Sequence, residues 1–138
     1  MDRDKAYVLW FDELRREDVE IVGGKSSSLG EMTSQTDVPV PYGFATTAYA
    51  YRQFMERTGL DKQIREELKK LTDVEDSALL REVTDNIRAM IVAEEMPADI
   101  VEAIKDAYDE LGKKMNVDDP FVAVRSSATA EDLPDASF

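Results

Sequence analysis

The chain has 138 residues, of which 43% are hydrophobic and 34% charged, a composition typical of a soluble globular domain that buries about two thirds of its unfolded surface. Its net charge of −13 argues against a surface for nucleic acid or an anionic membrane, since either would repel it. It contains no cysteine and no histidine, which excludes disulfides, thiolate chemistry, imidazole metal sites and phosphohistidine formation within these residues.

The setting is predicted to be cytoplasmic. No apolar run approaches the roughly 18 residues of a membrane span, and the N-terminus lacks the apolar core of a signal peptide. Nothing in the pattern marks a boundary between domains, so residues 1–138 are predicted to belong to one domain.

The first third of the chain predicts a strand, a turn and a helix. Residues 7–11 are five consecutive apolar residues and predict a strand buried on both faces, followed by a turn or short helix over 12–20. Gly23-Gly24-Lys25, the glycine turn, then opens a helix. Two starts for this helix remain open: Ser26 as the cap, or Ser28 in a capping box with Glu31.

The two prolines of residues 38–43 predict a rigid connector that leads into a short strand over 44–46. Thr47 is then placed to cap a helix that Gly59 closes. The apolar face of that helix is predicted to be Tyr51, Phe54, Met55 and Thr58.

Three amphipathic helices are expected next. Asp61 is predicted to cap the first, in which Glu66 pairs with Lys69 and Lys70. The second covers the apolar positions between 79 and 91, and the third runs from Pro97 to Gly112. A polar linker over 113–120 follows.

Residues 121–124 are apolar with β-branched residues at alternate places, and predict a buried strand that ends in a polar loop. The order of elements therefore predicts a mixed fold, α/β (α+β), with a helical bundle packed on a small sheet. Arg125 follows this last strand, where open α/β sheets place their ligand sites.

Lys25 and Arg125 are isolated cations in an acidic chain. Lys25 is the only basic residue between Arg16 and Arg52, and Arg125 is the only one after Lys114. For the glycine turn two interpretations are open: a helix C-cap or hairpin turn with a solvated lysine, or a phosphate cradle at a helix N-terminus. The spacing does not match a P-loop.

The loop after Arg125 has similar alternatives. Arg125 either binds an anion or forms a salt bridge that pins the loop, with Glu131, Asp132 or Asp135 as its partner. The hydroxyls of Ser126, Ser127 and Thr129 are interpreted as backbone-bonding groups, because nothing nearby could deprotonate them. The adjacent carboxylates Glu131 and Asp132 are interpreted as a hydrated turn rather than a metal site.

Three stretches together resemble the N-terminal part of the phosphoenolpyruvate synthase (pyruvate, water dikinase) family, and the strand at 7–11 fits as well. They are Val22-Gly23-Gly24-Lys25 with Leu29-Gly30-Glu31-Met32, then Val38-Pro39-Val40-Pro41 with Gly43-Phe44-Ala45-Thr46-Thr47, then Val122-Ala123-Val124-Arg125-Ser126-Ser127-Ala128-Thr129-Ala130-Glu131-Asp132-Leu133-Pro134-Asp135-Ala136-Ser137-Phe138.

The resemblance implies the first part of an ATP-grasp-type nucleotide-binding domain. It implies that Lys25 and Arg125 bind the phosphates of ATP, with Gly23, Gly24, Ser126 and Thr129 as secondary ATP-site residues. If both cations hold one polyphosphate, their charged ends should lie within roughly 10 Å of each other and face one cleft. In that family ATP phosphorylates a histidine on a swivelling domain, and a barrel domain then passes the phosphoryl group to pyruvate.

Those further domains, and the ligands of Mg²⁺, are expected outside residues 1–138, so no catalytic residue and no metal ligand is assigned here. The apolar end at Phe138 is interpreted as a cut within a longer polypeptide, and the chain alone is predicted to be inactive, with weak ATP binding at best. The partners expected are ATP, pyruvate and the phosphohistidine domain of the same polypeptide, with self-association left open. Ser26, Ser27 and Tyr42 depart from the family pattern.

Two other functions stay open. A rifamycin phosphotransferase would carry a closely similar nucleotide-binding module, and a non-catalytic helical module would use the same loops as scaffold. Pyruvate, phosphate dikinase is disfavoured, because its arginine loop does not read Ser-Ser-Ala-Thr-Ala-Glu-Asp.

Overall fold

A computed structural model of the chain describes residues 2–129. It has two compact units: one takes in the residues up to Tyr51 and those from Asp99 onward, and the other spans Arg52–Ala98. The described part confirms the mixed fold class. Its helices and strands are β1 (Val8–Trp10), α1 (Val19–Val22), α2 (Gly24–Gln35), β2 (Phe44–Thr46), α3 (Ala48–Arg57), α4 (Leu60–Leu68), α5 (Ser77–Ala93) and α6 (Ala98–Met115).

β1 and β2 form a two-stranded antiparallel sheet in which Leu9 lies opposite Ala45. The core of this unit surrounds that pair and consists of Ala6, Leu9, Leu14, Val22 and Ala45. The predicted strand over 7–11 is shorter than expected, because a 3-10 turn begins at Phe11. It is also not buried on both faces: only Leu9 is fully buried, and its two neighbours in the strand are half-buried.

The predicted helix after the glycine turn is confirmed as α2. It begins at Gly24, so neither proposed start, at Ser26 or at Ser28, is correct. Close packing holds the helix in the first unit. A Cβ on Gly30 would overlap the side chain of Leu14 and lie 2.9 Å from the carbonyl oxygen of Phe11.

Thr47 caps α3 as predicted. Its hydroxyl accepts a hydrogen bond from the backbone N–H of Ala50 at 3.1 Å and donates one to the carbonyl of Ala6 at 2.5 Å. Gly59 follows α3 with the positive φ of 76° expected of a closing glycine. The assignment of Tyr51 to the apolar face is wrong, because this side chain is 62% exposed.

In the second unit, Asp61 is not the cap of α4, since the left-handed Gly59 lets the helix begin at Leu60. The carboxylate of Glu66 pairs with Lys69 at 2.7 Å as predicted. Lys70 pairs instead with Glu67 at 2.8 Å.

Glu67 joins α4 to α5. It is only 5% exposed, and its carboxylate accepts a hydrogen bond from Asn86 Nδ2 at 2.7 Å. The hydrogen bond from Lys70 and then that from Asn86 lower the pKa of Glu67, so it stays ionised although its side chain is covered.

The third predicted helix, α6, continues past Gly112 to Met115. It ends where Asn116 adopts a left-handed conformation with φ 56°. The N–H of Val117 then donates to the carbonyl of Gly112 at 2.9 Å, and that of Asn116 donates to the carbonyl of Lys113 at 3.2 Å. This pair of bonds is a Schellman motif, in which asparagine takes the place usually held by glycine.

The predicted buried strand over 121–124 is wrong. These residues form neither helix nor strand in the structure, and the side chains of Phe121 and Val124 are 102% and 92% exposed. A strand needs a neighbour to pair with, and none of the described residues lies beside this segment as a strand. The sequence from Ala130 onward, with Glu131, Asp132 and Asp135, lies outside the described residues.

Candidate functional site: the glycine turn and the arginine loop

The glycine turn joins two helices. The N–H of Gly23 donates to the carbonyl of Val19 at 2.8 Å and so closes α1, and α2 begins at the next residue. The backbone of Gly23 has φ 86° and ψ 168°, a region essentially restricted to glycine. The helix C-cap interpretation of this turn is therefore confirmed for Gly23.

Residues 125–129, the arginine loop, lie directly against this turn although about a hundred residues separate the two in sequence. The hydroxyl of Ser127 donates to the carbonyl of Val22 at 2.8 Å and accepts from the N–H of Ser26 at 3.3 Å. The N–H of Gly24 donates to the carbonyl of Ala128 at 3.2 Å. Three hydrogen bonds thus join the glycine turn to the arginine loop, the two motifs that contain the predicted cations.

Gly23 leaves no space between the turn and the loop. A Cβ at this position would overlap the hydroxyl of Ser127 and lie 2.9 Å from the backbone nitrogen of Ala128. Any other residue at position 23 would therefore push the loop away, besides straining its own backbone.

Both predicted cations are exposed and close to this junction. Lys25 lies between Gly24 and Ser26, and Arg125 lies two residues before Ser127. The 3.3 Å bond from Ser26 to Ser127, with standard backbone lengths, keeps the Cα atoms of Lys25 and Arg125 within roughly 16 Å. The direction of their charged ends, and the separation of about 10 Å expected from sequence, stay predictions.

Arg125 forms no ion pair with another residue between positions 2 and 129. Glu131, Asp132 and Asp135, the partners of the alternative salt-bridge interpretation, lie outside the described residues.

The secondary ATP-site residues have different surroundings. Ser126 and Thr129 are exposed, whereas Gly23 and Gly24 are buried. The amides of Gly23, Gly24 and Ser26 already donate to acceptors within the protein. Gly23 therefore serves close packing and the amide of Gly24 bonds the arginine loop, while contact of either glycine with ATP stays a prediction.

Ser127 was not among the predicted site residues, although it makes two of the three bonds that join the motifs. The interpretation of this serine as a backbone-bonding residue is confirmed by its contacts with Val22 and Ser26. The signal for Ser127 is a small hydroxyl residue in one motif that faces a glycine in another. This pairing is visible only in the folded structure.

Asp18 anchors the segment that leads into the turn. Its carboxylate accepts hydrogen bonds from Arg3 Nη2 and from the backbone N–H of Arg15, both at 2.8 Å, and it lies immediately before α1. Burial is the largest single influence and raises its pKa, but the bonds from Arg3 and Arg15 together outweigh it and lower the pKa. This carboxylate is therefore held in its charged form.

Three further features lie outside this junction. No group of three or more His, Cys, Asp or Glu side chains that could hold a metal ion occurs among residues 2–129. No helix in that range is both long and apolar enough to cross a membrane. A depression of about 410 Å³ lies along α5, lined by Ser77, Ala78, Arg81, Glu82 and Asp85, and contains neither predicted cation.

The relatives found by comparison with known proteins include three phosphoenolpyruvate synthases, one of them named as probable. The chain is 47% identical over 138 residues to a probable phosphoenolpyruvate synthase of Staphylothermus marinus. It is 52% identical over 135 residues to the phosphoenolpyruvate synthase of Neisseria meningitidis serogroup B. It is 40% identical over 163 aligned positions to that of Pyrococcus furiosus.

These matches cover 99%, 96% and 96% of the chain but only 16%, 17% and 20% of the respective relatives. The chain thus spans a fifth or less of the length of each. The resemblance to phosphoenolpyruvate synthase is confirmed. Residues 19–138, which include both the glycine turn and the arginine loop, match the family described as "Pyruvate phosphate dikinase, AMP/ATP-binding domain". The chain accordingly belongs to the pyruvate phosphate dikinase AMP/ATP-binding domain family.

Proposed function

We propose that this chain is the ATP-binding part of a pyruvate, water dikinase, and that Lys25 and Arg125 hold the phosphates of ATP. The observation that carries the proposal is the set of three hydrogen bonds between the glycine turn and the arginine loop. These bonds join the two segments that carry Lys25 and Arg125, which supports a shared role for the two side chains.

Charge supports this assignment. ATP carries several negative charges on its phosphates, and the chain has a net charge of −13, so general attraction cannot bring the two together. Local cations must therefore do so. Two of them on separate loops can orient the polyphosphate and neutralise the charge that develops during transfer, which is most of what phosphoryl transfer requires of a protein.

The reaction proposed for the whole enzyme uses residues beyond this chain. ATP phosphorylates a histidine on a swivelling domain and loses its β- and γ-phosphates. Pyruvate then receives the phosphoryl group, so that ATP, pyruvate and water become AMP, phosphoenolpyruvate and phosphate. We place this enzyme in the cytoplasm and its ATP site in an ATP-grasp-type domain. Mg²⁺ would bind to carboxylates elsewhere, and the proposed roles of Lys25 and Arg125 do not depend on it.

Charge reversal in the full-length protein tests the two cations. We expect Lys25→Glu and Arg125→Glu each to reduce ATP-dependent phosphorylation of the enzyme by about a thousandfold or more, because a carboxylate repels the transferred phosphoryl group. The measurement is the rate at which label from β-³²P-ATP enters the protein.

Lys62→Glu is the matched control, since Lys62 is an exposed cation on α4 in the second unit. It makes the same change in net charge and should leave the rate within about twofold, as expected for exposed charges. Normal labelling of both the Lys25 and Arg125 variants would reject the proposal and favour a scaffolding role for the loops. Labelling of the wild type followed by transfer to rifamycin instead of pyruvate would identify the alternative acceptor.

A further inference from the structure

We propose that Ser127 is a positioning residue that sets the location of Arg125 relative to Lys25 for ATP binding. The inference rests on the function proposed above and adds to it the residue through which the two cations are held together. Ser127 itself is not expected to contact ATP, because its hydroxyl is used within the protein.

Among the described residues, few contacts fix the segment that carries Arg125. Residues 121–128 belong to no helix or strand, and the side chains of Val124, Arg125 and Ser126 are exposed. The hydrogen bonds between the described part of this segment and the glycine turn include the two of Ser127 and the one from Gly24 to Ala128. Removing the Ser127 hydroxyl therefore removes two of these three bonds.

Serine suits position 127 because its hydroxyl both donates and accepts a hydrogen bond. The hydroxyl donates to Val22 and accepts from Ser26 at the same time, which a side chain that only donates or only accepts cannot do. Gly23 lies so close that a Cβ on it would overlap this hydroxyl, so a side chain at position 127 that extends beyond the hydroxyl oxygen toward Gly23 would displace the loop.

The arginine loop supplies hydrogen-bond acceptors to the first turn of α2. Ser26 is in the first turn of α2, where N–H groups have no partner within the helix. Ser127 satisfies one such group with its side chain, and Ala128 satisfies that of Gly24 with its backbone. The start of the helix therefore binds the arginine loop, and the phosphates are left to the flanking side chains of Lys25 and Arg125.

A double-mutant cycle in the full-length protein tests this role. We expect Ser127→Ala to raise the Kd for ATP by about tenfold, because Arg125 loses its fixed position. In an Arg125→Ala background the same substitution should raise the Kd by less than about twofold, since no guanidinium remains to be positioned. Ser127→Thr, which keeps the hydroxyl, should restore a large part of the affinity.

Hydrogen exchange provides a readout that does not require ATP. In the wild type the peptide covering residues 22–30 should be protected, and Ser127→Ala should increase its exchange because Ser26 loses its acceptor. Thr33→Val is the matched control: Thr33 also lies on α2 and donates to the backbone, at 2.8 Å to Leu29, but away from the arginine loop. It should change neither the Kd nor the exchange near residue 26.

Three results would overturn the inference. Unchanged ATP affinity and unchanged exchange in Ser127→Ala would show that the contact fixes neither Arg125 nor the start of α2. Equal effects of Ser127→Ala in the wild type and in the Arg125→Ala background would show a role in stability alone. A third result is that Lys25→Glu and Arg125→Glu leave ATP binding intact while Ser127→Ala still increases exchange. The contact would then exist, but neither the proposed ATP site nor the positioning role of Ser127 would stand.

Discussion

Asp18 shows at the scale of one residue how the segment before the glycine turn is stabilised. Its side chain is 7% exposed and paired with Arg3, whose side chain is 47% exposed. A covered carboxylate with a charged partner and a backbone donor is costly to disturb, because removing its charge leaves the donors without an ionised acceptor.

We expect Asp18→Asn to lower the free energy of unfolding by about 2 kcal/mol at pH 7, measured by urea titration. The pKa of Asp18 is lowered in the folded state, so its contribution is complete above its ordinary pKa of 3.8 and is lost as pH falls through the folded-state value below that. The difference between wild type and variant should therefore shrink below about pH 4.

Asp106→Asn, at an exposed carboxylate on α6, is the control for this prediction and should change stability by less than about 0.5 kcal/mol. A difference between wild type and Asp18→Asn that stays constant from pH 7 to pH 2 would contradict the expected role of the charge.

The sequence predicted the two cations of the candidate site but not the residue that connects them. Lys25 and Arg125 stood out because each is isolated in an acidic chain, a property visible without a structure. Ser127 has no such distinction among its neighbouring hydroxyl residues. Its importance comes from a contact across 101 positions with Ser26, and such a contact depends on the tertiary fold.

At the scale of the elements, α6 shows how local chemistry decides where a helix ends. Gly112 was predicted as its end, but the carbonyl of this residue accepts the N–H of Val117, and the helix turns only at Asn116. The hydroxyl of Tyr108 also donates to the carbonyl of Pro120 at 2.7 Å, which ties the following linker back to the helix.

We expect Asn116→Gly to raise the free energy of unfolding by about 0.5 kcal/mol and Asn116→Val to lower it by about 1 to 2 kcal/mol. The left-handed conformation, with φ 56°, is free of strain for glycine and most strained for a β-branched residue. Thermal unfolding monitored by circular dichroism measures both. A Val variant at least as stable as the wild type would contradict the Schellman motif described here.

Predictions from local sequence succeeded in part: the existence of the helices was predicted better than their ends, since the cap at Asp61 and the end at Gly112 were wrong. The cap at Thr47, the closing Gly59 and the helix after the glycine turn depend on neighbours in sequence, and all three are confirmed. The strand over 121–124 was predicted from its apolar, β-branched residues. Those residues favour a strand only where another strand is present to pair with them.

At the scale of the whole molecule, the absence of histidine from all 138 residues leads to a direct prediction. The chain alone, incubated with β-³²P-ATP, should acquire no acid-labile, base-stable phosphate, because it lacks the imidazole that would form it. A full-length phosphoenolpyruvate synthase under the same conditions is the positive control. Stable incorporation of ³²P into the chain would require a phosphoryl acceptor other than histidine. It would contradict the proposal that the phosphorylated histidine lies on a separate domain.

The exposed apolar segment at residues 121–124 affects how the isolated chain behaves in solution. Four consecutive uncharged residues, of which Phe121, Val122 and Val124 have high β-propensity, are a template for intermolecular pairing, and at low ionic strength the net charge of −13 keeps the copies apart. Added salt screens that repulsion, so light scattering should increase with sodium chloride, and less so for Phe121→Ser. Colloidal behaviour, more than folding, would then set the conditions under which this chain can be concentrated.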